Sequence, residues 1–292
     1  MQLIPRDKID IDKWNACVRK DAEASPYMYT FYLDSVCAQW SAVVFEDYES
    51  FMPVCWNKKW GIKYAYQPPF LQRMELVGDK HNKHLQREVH RCVNRNFFYV
   101  DFKTQFYADN STTRNNHILS LNKPYEQLSK AYSSQTKRNL KKGDIDVKLI
   151  DDIEWVLKMY REHTVPKIEN WKPDFSERQK NVLSALHSNN LLKMYGAYYQ
   201  GEIIASNAVI DDPRKIILLM SSSNDKGREL GGFSYIVDTI IREHAGQEKI
   251  LDFEGSQIPG VSRFYEGFGA VLQPYFTVNR CRPQWLVKLL HR

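Results

Sequence analysis

The sequence predicts an α/β (α+β) fold of two similar units, each a mixed sheet flanked by helices. Three observations lead there. With 292 residues the chain has room for two domains of ordinary size. Each half runs in the same order, helical patterns followed by strand-like runs, although the halves share no visible sequence identity. Between them, from Leu119 to Val147, the pattern turns polar and lysine-rich. The expected organisation is an N-terminal degenerate unit over 1–120, a helical junction over 121–145 and a C-terminal unit over 146–292.

In the first half, Ile9 to Lys20 reads as a helix, with Trp14, Cys17 and Val18 on one face and Asp12 as its cap. A second helix is expected from Tyr27 to Gln39. Trp40–Phe45 and Phe51–Trp56 read as strands around the acidic turn Glu46–Glu49. Pro68-Pro69 breaks the chain, His81 to Asn94 has helical spacing, and Phe97–Phe102 is a buried or half-buried strand. In the second half Asp152–His163 is helical, Ser176 caps another helix, and Leu191–Tyr199, Glu202–Ile210 and Lys215–Ser222 form an antiparallel meander. A helix over Phe233–His244, a strand over Lys249–Phe253, a short helix over Ser262–Glu266 and a last strand over Ala270–Asn279 complete the order.

Composition narrows the function classes. Hydrophobic residues make up 43% and aromatics 13%, which argues for a packed protein and against disorder. No apolar run approaches the ~20 residues of a membrane span. The opening MQLIPRDKIDIDKW lacks an apolar signal core, so a cytoplasmic protein is expected. The five cysteines include no Cys-x-x-Cys pair, which leaves neither a disulfide framework nor a zinc knuckle encoded. There is no His-Glu-x-x-His, Gly-x-Ser-x-Gly or Walker pattern, and no metal site is expected. The net charge of +6 is densest at Lys137-Arg138-Asn139-Leu140-Lys141-Lys142, a solvated helix face or an anion site.

The most informative stretch is Leu251 to Ala270, LDFEGSQIPGVSRFYEGFGA: a buried strand, a glycine turn, a short helix and a second glycine stop. It resembles the carboxy-terminal motif of the GNAT superfamily of N-acyltransferases, and more closely the Fem-type peptidyltransferase branch. The run holding Ser134, Arg138, Leu140 and Gly143 resembles the Fem-type helix that hands the chain to its second domain. Together these imply tandem GNAT-like units and transfer of an acyl or aminoacyl group from a thioester or ester donor to a primary amine. The donor implied is acyl-CoA or aminoacyl-tRNA. Fem enzymes that take tRNA commonly add a long helical arm, and the absence of a charged heptad segment here tilts the expectation to CoA.

The resemblance also assigns roles. Tyr265 matches the tyrosine that protonates the leaving thiolate, and Glu254 or Asp252 sits where a base could take the proton of the amine. Ser221 and Ser222 lie where GNAT sheets splay and free a backbone N–H for the donor carbonyl. Arg228, Gly231 and Gly232 match the pyrophosphate loop, although Phe233 stands where the family has a small residue. Arg138, Lys137, Arg263 and Ser256 are the expected substrate contacts. The competing expectation is a noncatalytic GNAT-like module that binds an anionic, phosphate-bearing ligand. Oligomeric state is left open.

Overall fold

The computed structural model describes residues 2–108, 111–169 and 171–281. In chain order the elements are β1 (Gln2–Pro5), α1 (Ile11–Lys20), α2 (Thr30–Val36), β2 (Trp40–Phe45), β3 (Ser50–Lys59), β4 (Ile62–Tyr66), α3 (Lys83–Asn96), β5 (Tyr99–Thr104) and β6 (Ser111–Arg114). Next come β7 (His117–Ser120), α4 (Tyr125–Lys130), α5 (Ser134–Asn139), β8 (Asp146–Leu149), α6 (Ile153–His163), α7 (Asp174–Ser188), β9 (Leu192–Tyr199), β10 (Glu202–Asp211) and β11 (Lys215–Ser223). The chain ends with α8 (Asp225–Leu230), α9 (Gly232–His244), β12 (Ile250–Asp252), α10 (Pro259–Glu266), β13 (Val271–Leu272) and β14 (Tyr275–Cys281).

Two seven-stranded sheets organise these elements. The first runs β1-β2-β3-β4-β5-β14-β6 and the second β8-β9-β10-β11-β12-β7-β13. Both repeat one plan. The first four strands are antiparallel neighbours, the fourth and fifth pair in parallel, and the rest are antiparallel. Each sheet takes its sixth-placed strand from a distant stretch of chain: β14 returns to lie between β5 and β6, and β7 lies between β12 and β13. The chain passes from the first unit to the second between Arg114 and Asn115 and returns between Gln273 and Pro274. The run from Leu121 to Ile145 thus lies inside the second unit, and the strand expected over Ala270–Asn279 divides between the two sheets.

In the first unit, α1 is capped by Asp10, whose side chain accepts from the Lys13 N–H, and Asp12 falls within the first turn. The apolar face works as its spacing predicts, with Trp14 and Val18 fully buried and the Trp14 Nε1–H donated to the Met28 carbonyl at 2.6 Å. The expected helix from Tyr27 shrinks to α2, because Pro26–Met28 forms a separate 3-10 turn capped by Ser25. A strand the pattern did not signal, β4, follows the hairpin after β3; its alternating burial holds one buried residue, Ala65.

In the second unit, Asp152 caps α6 through the Trp155 N–H. Helix α7 begins at Asp174 behind Pro173, so Ser176 lies within it and caps nothing. The core is a layer between the sheet and α9, where Ile236, Val237, Ile240 and Ile241 pack with Ala205, Val209, Ile216 and Leu218. Burial of such side chains contributes about 1.5–3 kcal/mol each. Helix α4 joins this core through Leu128 and, just beyond it, Tyr132. The hydroxyls of Tyr125 and Tyr132 both donate to Asp238 of α9, at 2.8 and 2.9 Å.

Candidate active site

The site is built where two paired strands part. Strand β12 pairs with β11 only over Lys215–Ile217, and the register of β11 against β10 shifts between Ala208 and Val209. Beyond Ile217, β11 therefore has no strand on its β12 side among the described residues. Ser221 and Ser222 lie on this parted stretch. The Ser222 hydroxyl donates to the Met159 carbonyl at 2.9 Å and accepts from Thr164, which also donates to the Ser221 carbonyl at 3.1 Å. Those contacts tie β11 to the end of α6.

At the end of β12 the chain turns sharply. Asp252 is buried, and its carboxylate accepts from the Glu254 N–H at 2.9 Å. Glu254 and Gly255 both take left-handed backbone geometry, with φ of 62° and 60°. A Cβ on Gly255 would stand 2.1 Å from the Asn115 carbonyl oxygen, so glycine is required there for space as well as for φ. Glu254 has no such excuse. A non-glycine residue in this region costs about 1 kcal/mol or more, and such strain gathers at functional sites.

Helix α10 then brings Tyr265 back over the strand end. Its ring lies 4.8 Å from that of Phe253 and 5.8 Å from that of Phe264, centroid to centroid. Burial pushes the Glu254 carboxyl up to about 8, and Oε1 is shielded from solvent. Burial, and then the charges of Glu254 and Asp252, hold the Tyr265 hydroxyl well above the ordinary phenol range. The charges of Glu254 and Asp252 thus bear on the Tyr265 hydroxyl.

His117 of β7 joins them, a residue that nothing in the sequence signalled, because its strand comes from the other side of the polar stretch. It is buried, its carbonyl accepts from the Phe253 N–H at 3.0 Å, and its Nε2 stands 3.4 Å from Oε1 of the exposed Glu266. Its ring centroid is 5.8 Å from that of Tyr265. The helix bearing Tyr265 is fixed at its far end by α5. The Gly267 carbonyl accepts from the Ser133 N–H at 2.8 Å and from the Thr136 hydroxyl at 2.9 Å.

A second feature lies at the start of α9. Gly231 (φ 74°) closes α8 and opens α9, and no side chain caps the new helix. Of its first N–H groups, that of Ser234 bonds the Gly231 carbonyl at 2.8 Å, and the helix dipole favours an anion at this end. The lysine-rich run comes to the same place: Lys142 Nζ donates to the Glu229 carbonyl at 3.2 Å, and a Cβ on Gly231 would meet that of Asn139 at 3.4 Å. Phe233 stacks on Phe264 at 5.6 Å, joining the α9 start to the helix of Tyr265.

No family model matches the chain, and no curated protein sequence matches it. Solved structures do. FemX aligns over 97% of this chain and 99% of its own, at 12% identity and a TM-score of 0.67. A tandem GNAT protein from the clavulanic acid biosynthesis pathway aligns over 95% and 98%, at 10% identity and a TM-score of 0.51. The chain has a tandem GNAT-like fold. A C-terminal domain of a proposed lysylphosphatidylglycerol synthetase from Agrobacterium fabrum also shares it, over 96% and 95% of the two chains, at 12% identity and a TM-score of 0.55.

In this tandem GNAT-like fold the sequence-predicted residues other than Ser221 and Ser222 fall into three groups. Asp252, Glu254 and Tyr265 come together around the strand end, with Ser256 in the turn beside them, where its hydroxyl accepts from the Ile258 N–H at 3.0 Å. Gly231 lies against Asn139 of the basic run and Gly232 against Ile204 and Ala205, while the Arg228 guanidinium bonds the Ser223 carbonyl and Asp225. Lys137, Arg138 and Arg263 are exposed and bonded locally: Lys137 to the Lys130 carbonyl at 2.9 Å, Arg138 to Gln135 at 2.8 Å and Arg263 to the Pro259 carbonyl at 3.3 Å. Among the described residues no group of three or more His, Cys, Asp or Glu side chains could hold a metal ion. No helix among them is long and apolar enough to cross a membrane.

Proposed function

We propose that the protein is an N-acyltransferase that moves an acyl group from a phosphate-bearing thioester, acyl-CoA in its simplest form, to a primary amine. One observation carries this reading: at the end of β12 a half-buried carboxyl, Glu254, and a half-buried phenol, Tyr265, are brought together, the phenol ring 4.8 Å from that of Phe253 and the pKa of its hydroxyl raised by burial and by the charge of Glu254. Glu254 takes the proton of the amine as nitrogen attacks the donor carbonyl carbon. The C–S bond then breaks, and Tyr265 gives its proton to the leaving sulfur. Because Glu254 sits at about 8, the base becomes available as pH rises through that value, where more of the amine is also neutral. Tyr265 stays protonated across that pH range until it gives its proton to the sulfur.

The start of α9 and Lys142 offer the donor's phosphates backbone N–H groups and a cation. FemX and the clavulanic-pathway protein support the reading at the level of fold. Acetyl-CoA and a panel of primary amines, assayed for free thiol, provide the test. Glu254→Gln and Tyr265→Phe should each lower turnover at least about a hundredfold if they carry general base and acid roles. Parent-like turnover in both would overturn the assignment.

A further inference from the structure

The hairpin that joins β3 to β4 in the first unit plays no part in the site above, and its chemistry is distinctive. Between Glu49 and Glu75 the chain has no acidic residue, while Lys58, Lys59 and Lys63 cluster around the turn. Lys58 pairs directly across the hairpin with Lys63, and Lys59 with Ile62. At the tip stands Trp60, 64% exposed and with φ of 50°. Its neighbour Gly61 has φ of 83°, and a Cβ there would meet nothing within 4 Å, so the tip projects into open space. At the foot, Phe98 is 56% exposed and held beside Lys63 by a 3.2 Å bond from its N–H to the Lys63 carbonyl.

An exposed tryptophan costs free energy in water, and Trp60 is 64% exposed at the hairpin tip. Two partners suit aromatics among cations: single-stranded nucleic acid, which stacks bases on open ring faces, and an anionic lipid surface, which takes the ring edge-first among the headgroups. The ring faces decide between them. Lys59 Nζ lies 4.8 Å from the centroid of Trp60, and Lys63 Nζ lies 4.9 Å from that of Trp56. An ammonium already covers a face of each indole, which leaves a narrow projecting ring flanked by positive charge rather than a stacking platform.

We infer that the β3–β4 hairpin docks the protein peripherally on an anionic lipid surface, Trp60 entering the headgroup layer and Lys58, Lys59 and Lys63 meeting the lipid phosphates. The contact is independent of acyl transfer. It is tested by sedimenting the full chain with vesicles of phosphatidylcholine alone and of equal parts phosphatidylcholine and phosphatidylglycerol, at low and high salt. The parent should pellet only with the mixed vesicles, and less as salt rises. Joint reversal of the three lysines to glutamate should weaken binding at least about a hundredfold, since each lysine near such a surface adds roughly fivefold. Trp60→Ala should weaken it while keeping the parent's circular dichroism and melting temperature. Lipids with brominated acyl chains should quench tryptophan emission in the parent and markedly less in Trp60→Tyr. No pelleting with the anionic vesicles, or pelleting indifferent to both variants, overturns the inference. So does loss of single-stranded RNA binding, in place of vesicle binding, in the same variants.

Discussion

Gly255 lies against Asn115 so closely that a Cβ on the glycine would stand 2.1 Å from the asparagine carbonyl oxygen. The turn carrying Glu254 is therefore shaped by the chain just ahead of β7. Gly255→Ala must push two backbones apart and hold alanine at φ of 60°. The expected cost is about 2–5 kcal/mol, the sum of overpacking and left-handed strain. Denaturant unfolding measures it, and a loss below about 1 kcal/mol would show that the turn yields easily.

The bond from Thr136 to the Gly267 carbonyl makes a different prediction. Thr136→Val removes a buried donor, since that hydroxyl donates at 2.9 Å, and should cost about 1 kcal/mol. Because Gly267 ends the helix of Tyr265, turnover should fall more than donor affinity. Unchanged turnover alongside the expected loss of stability would confine Thr136 to a structural role.

Glu254 predicts a pH dependence of stability. Its carboxyl titrates near 4.5 in an ordinary setting and at about 8 here, so between those values the folded protein binds more protons than the unfolded one. Stability from this group is full below about 4.5 and is lost as pH rises through about 8. Glu254→Gln has no charge to bury. Its melting temperature relative to the parent should rise steadily across that window and level off above it. A difference flat with pH would mean that Glu254 ionises as freely as a surface carboxylate.

The two anion-binding features should separate by salt. Lys142→Glu should weaken binding of acetyl-CoA mainly through the association rate, and less as salt rises. Gly231→Val forces a branched side chain to φ of 74° and should weaken binding equally at every salt concentration. Stopped-flow binding resolves both, and parent-like binding in the two variants at low salt would move the phosphates elsewhere.

What the sequence made legible follows from how local the signals were. The meander β9–β11 and helices α6 and α9 follow from apolar periodicity, and the strand-turn-helix around Asp252, Glu254 and Tyr265 from its glycines. The placing of β7 and β14 had no local mark, because strands of four and seven residues say nothing of which sheet they will join. The stretch holding α4 and α5 looked like a junction because its outward faces are polar; Leu128, Tyr132 and Thr136 are buried at spacings of four, but only Leu128 is aliphatic and the three are divided between α4, the turn after it and α5. His117 escaped notice for the same reason as its strand.

The dependence of acyl transfer on pH, measured for the parent, Glu254→Gln and Tyr265→Phe with one donor and one amine of low pKa, bears most directly on the proposed chemistry. In the parent the rate should climb with a midpoint near 8, where Glu254 loses its proton. That limb should vanish in Glu254→Gln, with the remaining rate low and flat, and should persist at reduced height in Tyr265→Phe. A rising limb unchanged in Glu254→Gln would contradict the assignment of Glu254 as the base.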